Sequence, residues 1–139
     1  MKGVDMKILL IDNEQEIIDF YCRVAQSQGY KDVDSVSSAE EILTPVLQEN
    51  YDLIVLDINM PGVDEQEICP TLRNISPHAI IAIISRYISE AVSSAVIQHA
   101  DVWISKPIQT DTFIQLLDLA AKTCGALKEI QSLGKETRR

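Results

Sequence analysis

Cysteine is scarce in this chain, and the few present do not form a framework. Cys22, Cys69 and Cys124 are odd in number, far apart and without CxxC spacing. That argues against a disulfide scaffold or a zinc site, and for reduced thiols in a cytoplasmic protein. Histidine is scarcer: His78 and His99 stand apart at expected loop or helix ends, with no metal role. Long apolar runs are missing too. The longest, Ala79–Ile84, falls far short of a membrane span, and no secretory signal opens the chain. Basic charge is in deficit, with 12 Lys and Arg against 21 Asp and Glu. The deficit lies in residues 1–121, while Lys122, Lys128, Lys135, Arg138 and Arg139 make the remainder mildly basic. An acidic body repels nucleic acid and favours divalent cations or basic partners. The basic stretch is too sparse for a nucleic-acid motif and reads as a solvated helix end or linker.

At 139 residues the chain has the length of one domain. Four apolar runs of strand length each stop at a polar residue. Met6–Ile11 stops at Asp12, Leu53–Leu56 at Asp57, Ala79–Ile84 at Ser85, and Val102–Ser105 at Lys106-Pro107. A shorter strand is expected at Val33–Val36. Between these runs lie helical stripes. Ile17, Ile18, Tyr21, Val24 and Ala25 mark the first helix. Ser38-Ala39-Glu40-Glu41 reads as a capping box leading into Ile42, Leu43, Val46 and Leu47. A third helix is expected near Asp64–Asn74, although Pro70 removes a backbone donor from it, as Pro45 does in the second. Ile88, Ala91, Val92, Ala95 and Val96 mark a fourth, and Phe113, Leu116, Leu117, Ala120 and Cys124 a fifth. Gly125 interrupts that last pattern, and 126–139 reads as a helix continuation, a frayed end or a linker.

Five β-then-α units with nearly all-apolar strands imply a parallel sheet covered on both faces. Right-handed crossovers bring every strand's carboxyl end to one edge. For strand order 2-1-3-4-5 the ligand crevice falls between strands 1 and 3, which end at Asp12 and Asp57. Two carboxylates meeting there need a cation, and hard oxygen donors suit Mg²⁺. With Lys106 offsetting charge and Ser85 donating a hydrogen bond, Asp57 is placed to accept a phosphoryl group.

These residues resemble the receiver domain of two-component response regulators. The resemblance is carried by Ile11-Asp12-Asn13-Glu14, Leu56-Asp57-Ile58-Asn59-Met60-Pro61-Gly62, Ile84-Ser85 and Trp103-Ile104-Ser105-Lys106-Pro107, and spans roughly residues 5–123. It implies a flavodoxin-like (βα)5 three-layer sandwich of strand order 2-1-3-4-5. It also implies transfer of a phosphoryl group from a sensor histidine kinase or phosphotransfer protein to Asp57. Asp12, Asn13, Asp57 and the backbone carbonyl of Asn59 would hold Mg²⁺. Ser85 and Lys106 would contact the phosphoryl group, with Ser85 and Trp103 at the switch positions. A face of helix 4, strand 5 and helix 5 would change its affinity for a homodimer partner or output domain. Residues 124–139 would be a helical extension or linker, and the segment itself would bind neither nucleic acid nor membrane.

The chain also departs from that pattern. Asn13 stands where the family usually has a second acid, so Mg²⁺ should bind less tightly. Arg86 replaces a small residue and could cover the site or pair with Asp57. Trp103 is bulkier than the usual Tyr or Phe. Glu65 and His99 stand where Gly is frequent, with a strained positive φ expected for His99. These departures keep open an alternative function, a phosphorylation-independent interaction domain. An enzyme acting on a phosphorylated small molecule fits less well, because the compact chain offers no cap domain to enclose a substrate.

Overall fold

The computed structural model describes residues 5–86 and 98–137. Five strands form one parallel sheet in the order β2-β1-β3-β4-β5: β1 Ile8–Ile11, β2 Val33–Val36, β3 Leu53–Leu56, β4 Ile80–Ser85 and β5 Val102–Ser105. The expected order and the α/β sandwich are therefore found. The helices are α1 Gln15–Ser27, α2 Leu43–Gln48, α3 Glu65–Ile75 and α4 Thr110–Thr137, the last being the fifth helix of the sequence reading. The helix expected over Ile88–Val96 lies outside the described residues. Among those described, no helix is long and apolar enough to cross a membrane.

The central strands β1, β3 and β4 are apolar up to their carboxyl ends because both faces are covered, whereas the edge strands β2 and β5 carry exposed residues. Leu9, Ile11, Ile54, Leu56, Ile81 and Ile83 point to one side and pack with Val46, Cys69 and Leu72. Ile8, Leu10, Leu53, Val55, Ala82 and Ile84 point to the other and meet α1 and α4 through Tyr21, Val24, Phe113 and Leu117. The period of two along each strand thus divides a continuous apolar run between two cores. Tyr21 stacks on Phe113 with ring centroids 4.7 Å apart and ties α1 to α4.

The proline-bearing helices form, each for a local reason. Pro45 lies in the first turn of α2, where its missing N–H would have had no partner. Pro70 lies inside α3, whose start is fixed by the Asp64 carboxylate accepting from the Gln66 amide at 3.0 Å. The capping box at Ser38 takes a different form from the one expected. The Ser38 hydroxyl donates to the Glu41 carboxylate at 2.6 Å and makes no bond to the backbone. Residues Ala39–Glu41 form a 3-10 turn, and α2 begins only at Leu43. Positive φ occurs only at Gly29 and Gly62 among the described residues, so His99 is not strained. Its backbone is helical, and its carbonyl accepts from Arg73. Gly125 does not end the last helix, which runs unbroken to Thr137.

Candidate functional site at the carboxyl edge of the sheet

Strand register sets the site before any side chain is considered. Ile11 pairs with Leu56, so Asp12 and Asp57 leave neighbouring strands side by side. The Asp57 amide donates to the Ile11 carbonyl at 3.0 Å and the Asp12 amide to the Val36 carbonyl at 3.1 Å. On the far side Ser85 pairs with Ser105, and the Lys106 amide donates to the Ser85 carbonyl at 2.9 Å. The peptide bond that follows, Lys106-Pro107, is cis.

Each aspartate divides its two oxygens between structure and site. Oδ1 of Asp12 accepts from the Glu14 amide at 2.9 Å, and Oδ1 of Asp57 from the Asn59 amide at 2.9 Å. These bonds fix the loops after β1 and β3. Oδ2 of each carboxylate then faces Lys106, whose Nζ lies 2.7 Å from Asp12 and 3.1 Å from Asp57. The Ser85 hydroxyl donates to Asp57 Oδ1 at 2.9 Å and also meets the Asn59 side-chain amide. Gly62 closes the loop after Asp57 with φ +82°. A Cβ there would be strained and would press on Ala39 at 3.2 Å.

Burial makes these contacts strong. The Lys106, Asp12 and Asp57 side chains are 7%, 2% and 6% exposed, and Ser85 is fully buried. Burial raises the Asp12 carboxyl above its ordinary value, against the opposing pull of Lys106 and the Glu14 amide. Burial alone would lower the Lys106 ammonium, but its hydrogen bonds to Asp12 and Asp57 raise it, so it stays charged. Two carboxylates share one ammonium. The pocket keeps an excess of negative charge that a further cation could neutralise.

The donors present suit a hard divalent cation: two carboxylates already converge on one positive charge, and the turn residue Asn59 stands beside them. Asn13, expected among the ligands, is exposed. Arg86 does not pair with Asp57. Its guanidinium donates to Glu14 Oε1 at 2.7 Å, at the rim of the pocket, because Lys106 already occupies the space between the aspartates. Trp103 is 42% exposed, outside the buried cluster. The Asn59 side chain beside Ser85 was not anticipated, since only the carbonyl of Asn59 drew attention in the sequence. The signal available was its position two residues after Asp57, within reach of the same turn.

The family profile described as response regulator receiver domain matches residues 8–118. The chain belongs to this family. Receiver domains serve two-component systems as signalling domains, not as a family of catalytic enzymes, and they interact with histidine kinases and output domains. Among curated relatives, the transcriptional regulatory protein YvrH of Bacillus subtilis is 34% identical over 130 residues, covering 94% of this chain and 52% of that protein. The chain spans about half the length of that relative and about a third of the next two. Among solved structures, the CheY-like receiver domain protein of Methanospirillum hungatei superposes with TM-score 0.80 at 21% identity, covering 87% of this chain and 97% of that one. The response regulator TrrA of Thermotoga maritima, in complex with Mg²⁺ and beryllofluoride, gives TM-score 0.73 at 27% identity, covering 83% and 98%. In this receiver, the four polar residues that close strands β1, β3, β4 and β5 meet in one pocket.

Proposed function

We propose that Asp57 of this receiver accepts a phosphoryl group from a sensor histidine kinase or phosphotransfer protein, with Mg²⁺ required. The observation that carries this reading is the environment of Asp57. It is a buried carboxylate at the switch point of the sheet, with an ammonium at 3.1 Å and a hydroxyl at 2.9 Å. An Asp57 oxygen would attack phosphorus while the phosphorus–nitrogen bond of a phosphohistidine breaks. Lys106 would then turn its charge from Asp12 to the incoming phosphoryl oxygens, and Ser85 would donate to one of them. Asp12, Asn13, Asp57 and the Asn59 carbonyl would hold Mg²⁺, which when bound supplies positive charge to the phosphoryl oxygens. That the solved relative from Thermotoga maritima is in complex with Mg²⁺ and beryllofluoride supports a divalent cation at such a site.

The output follows from the same pocket. Movement of Ser85 toward a phosphoryl group, with Trp103 swinging inward, would shift a population between two states and change the face formed by the helix expected over Ile88–Val96, β5 and α4. That face would bind a second copy or an output domain. Residues 5–123 would be the receiver unit, and 124–139 its helical extension or linker. A cytoplasmic site of action fits a kinase partner.

Trp103 is the sole tryptophan and lies three residues before Lys106, so its emission would serve as the probe of this site. Titration with Mg²⁺ and then beryllofluoride should give a saturable change in its emission, and Asp57→Asn should abolish the beryllofluoride step. A folded chain that responds to neither ligand would exclude the phosphoacceptor reading and favour the phosphorylation-independent alternative. Asn13→Asp should tighten Mg²⁺ about tenfold by restoring a negative charge to the pocket. An unchanged affinity would contradict the role given to Asn13.

A further inference from the structure

Tyr21 carries the one buried side-chain polar atom that has no hydrogen-bond partner among the described residues, its phenolic oxygen. The residue is 2% exposed and lies among Leu10, Val55, Ile84, Phe113 and Leu117, whose side chains offer it no acceptor. Its two buried counterparts are both satisfied by carboxylates. Tyr30 donates to Asp118 at 2.8 Å, and Tyr51 donates to Asp34 at 2.7 Å. A hydroxyl desolvated without a partner destabilises the state in which it occurs. A partner gained in another state of the protein would account for it.

The direction of the side chain points to that partner. α1 begins at Gln15, three residues beyond Asp12. Long helix side chains lean toward the helix N-terminus, so Tyr21, in the second turn, leans to the carboxyl edge of the sheet. Its ring is held there by stacking on Phe113 at 4.7 Å. Burial does most to push the hydroxyl's pKa up, and the charges of Asp12, Asp57 and Glu14 push it further, Asp12 foremost among them. All three acids stand at that edge.

We propose that Tyr21 is a positioning residue whose hydroxyl replaces Lys106 as the donor to Asp12 once Lys106 turns to the phosphoryl group. This rests on the phosphoacceptor reading and adds the fate of Asp12 to it. In the resting chain, Oδ2 of Asp12 faces the Lys106 ammonium at 2.7 Å, and Oδ1 takes the Glu14 amide at 2.9 Å. When Lys106 leaves, a carboxylate only 2% exposed loses the one side-chain donor it has among the described residues. The Tyr21 hydroxyl then gains an acceptor as Asp12 regains a donor, so a single bond satisfies two groups. Each carboxylate oxygen has two lone pairs, so the exchange leaves room for Mg²⁺ on Asp12. The hydroxyl keeps its proton throughout. It disfavours the resting state and favours the phosphorylated one.

Tyr21→Phe in the whole 139-residue chain keeps the ring stack and removes only the hydroxyl. In urea without divalent metal, the variant should have a midpoint no lower than the wild type, because the hydroxyl has no partner there. With Mg²⁺ present, its affinity for beryllofluoride, measured by titration calorimetry, should fall about tenfold. Loss of packing alone would lower the midpoint and would not single out the mimic. A lower midpoint overturns the proposal, since the hydroxyl would then already be paired, for instance with a buried water. Unchanged beryllofluoride affinity overturns it too, and leaves the phosphoacceptor reading standing. A wild type that binds no beryllofluoride removes that reading and this inference together.

Discussion

At the carboxyl end of the sheet, Lys106 is almost fully buried and is shared by Asp12 and Asp57. At the amino end, Lys7 faces Asp32 and Asp34, Arg73 faces Asp101, and Lys128 faces Asp52, with at least one partner well exposed in every pair. Both ends carry acids and bases at hydrogen-bonding distance. They differ in water and in purpose. The amino-end groups hold the backbone: the Lys7 amide donates to Asp52 at 2.9 Å and the Ile81 amide to Asp101 at 2.8 Å. The carboxyl-end groups also fix their loops, but with oxygens left over, and those oxygens converge with one charge unmatched. Each end has one acid more than it has bases, and Lys7 serves two aspartates as Lys106 does. Burial is what separates them: a buried, unbalanced cluster marks a reactive site, and an exposed one marks a structural seam.

The sharpest way to break this contrast is to remove a structural charge and leave the site intact. Arg73 donates to the carbonyls of Ala79 at 2.6 Å and His99 at 2.8 Å, and to Asp101 at 2.7 Å. It ties α3 to the starts of β4 and β5. Arg73→Met leaves those partly buried carbonyls without a donor and should cost about 3 kcal/mol in urea denaturation. Folded Arg73→Met should still bind beryllofluoride with nearly wild-type affinity. A large loss of affinity would show that the two ends are not separable.

The reverse substitution removes a functional charge and should strengthen the fold. Burial disfavours the ionised form of Asp12 in the folded chain. In Asp12→Asn the amide oxygen can still accept from Glu14, and Lys106 keeps Asp57. Without divalent metal this variant should therefore be more stable by about 1 kcal/mol, while Mg²⁺ affinity falls. The sign follows from the raised folded-state pKa. The wild type gains stability as pH falls toward the ordinary value of 3.8, so the gap between the two proteins should be widest at neutral pH and narrow in acid. A variant less stable at pH 7 would mean that the Lys106 pairing outweighs the cost of burial.

The site was readable in the sequence to the extent that strand order controls it. β1, β3 and β4 are apolar on both faces, so each run ends abruptly at its polar residue, and parallel topology then brings Asp12, Asp57 and Ser85 to one edge. Sheet topology does not specify which oxygen meets which donor. That Arg86 turns to Glu14, 72 residues away in sequence, depends on Lys106 already filling the space between the aspartates. Arg73 gave no signal, since its main partners are backbone carbonyls, which any residue supplies. The second helix starts later than its capping-box pattern predicts, because the Ser38 hydroxyl meets the Glu41 carboxylate instead of a backbone amide.

The smallest effect expected is at Lys7, and it tests the exposed half of the contrast. Its ammonium lies 3.1 Å from Asp32, a contact as short as that between Lys106 and Asp57, yet Asp32 is 59% exposed. The hydrogen bond to Asp32 raises the Lys7 pKa above 10.5, so the contribution is complete at neutral pH and would be lost only as pH rises past that value. Water and long side chains make such a pair nearly neutral energetically. Lys7→Met should leave the urea midpoint unchanged within error, and added salt should remove any residual difference from the wild type. Beryllofluoride binding by the same protein should depend on Lys106 at every ionic strength, because salt does not reach a buried ammonium. If Lys7→Met were as damaging as Arg73→Met, proximity of charges, and not burial, would be the property that matters at both ends of the sheet.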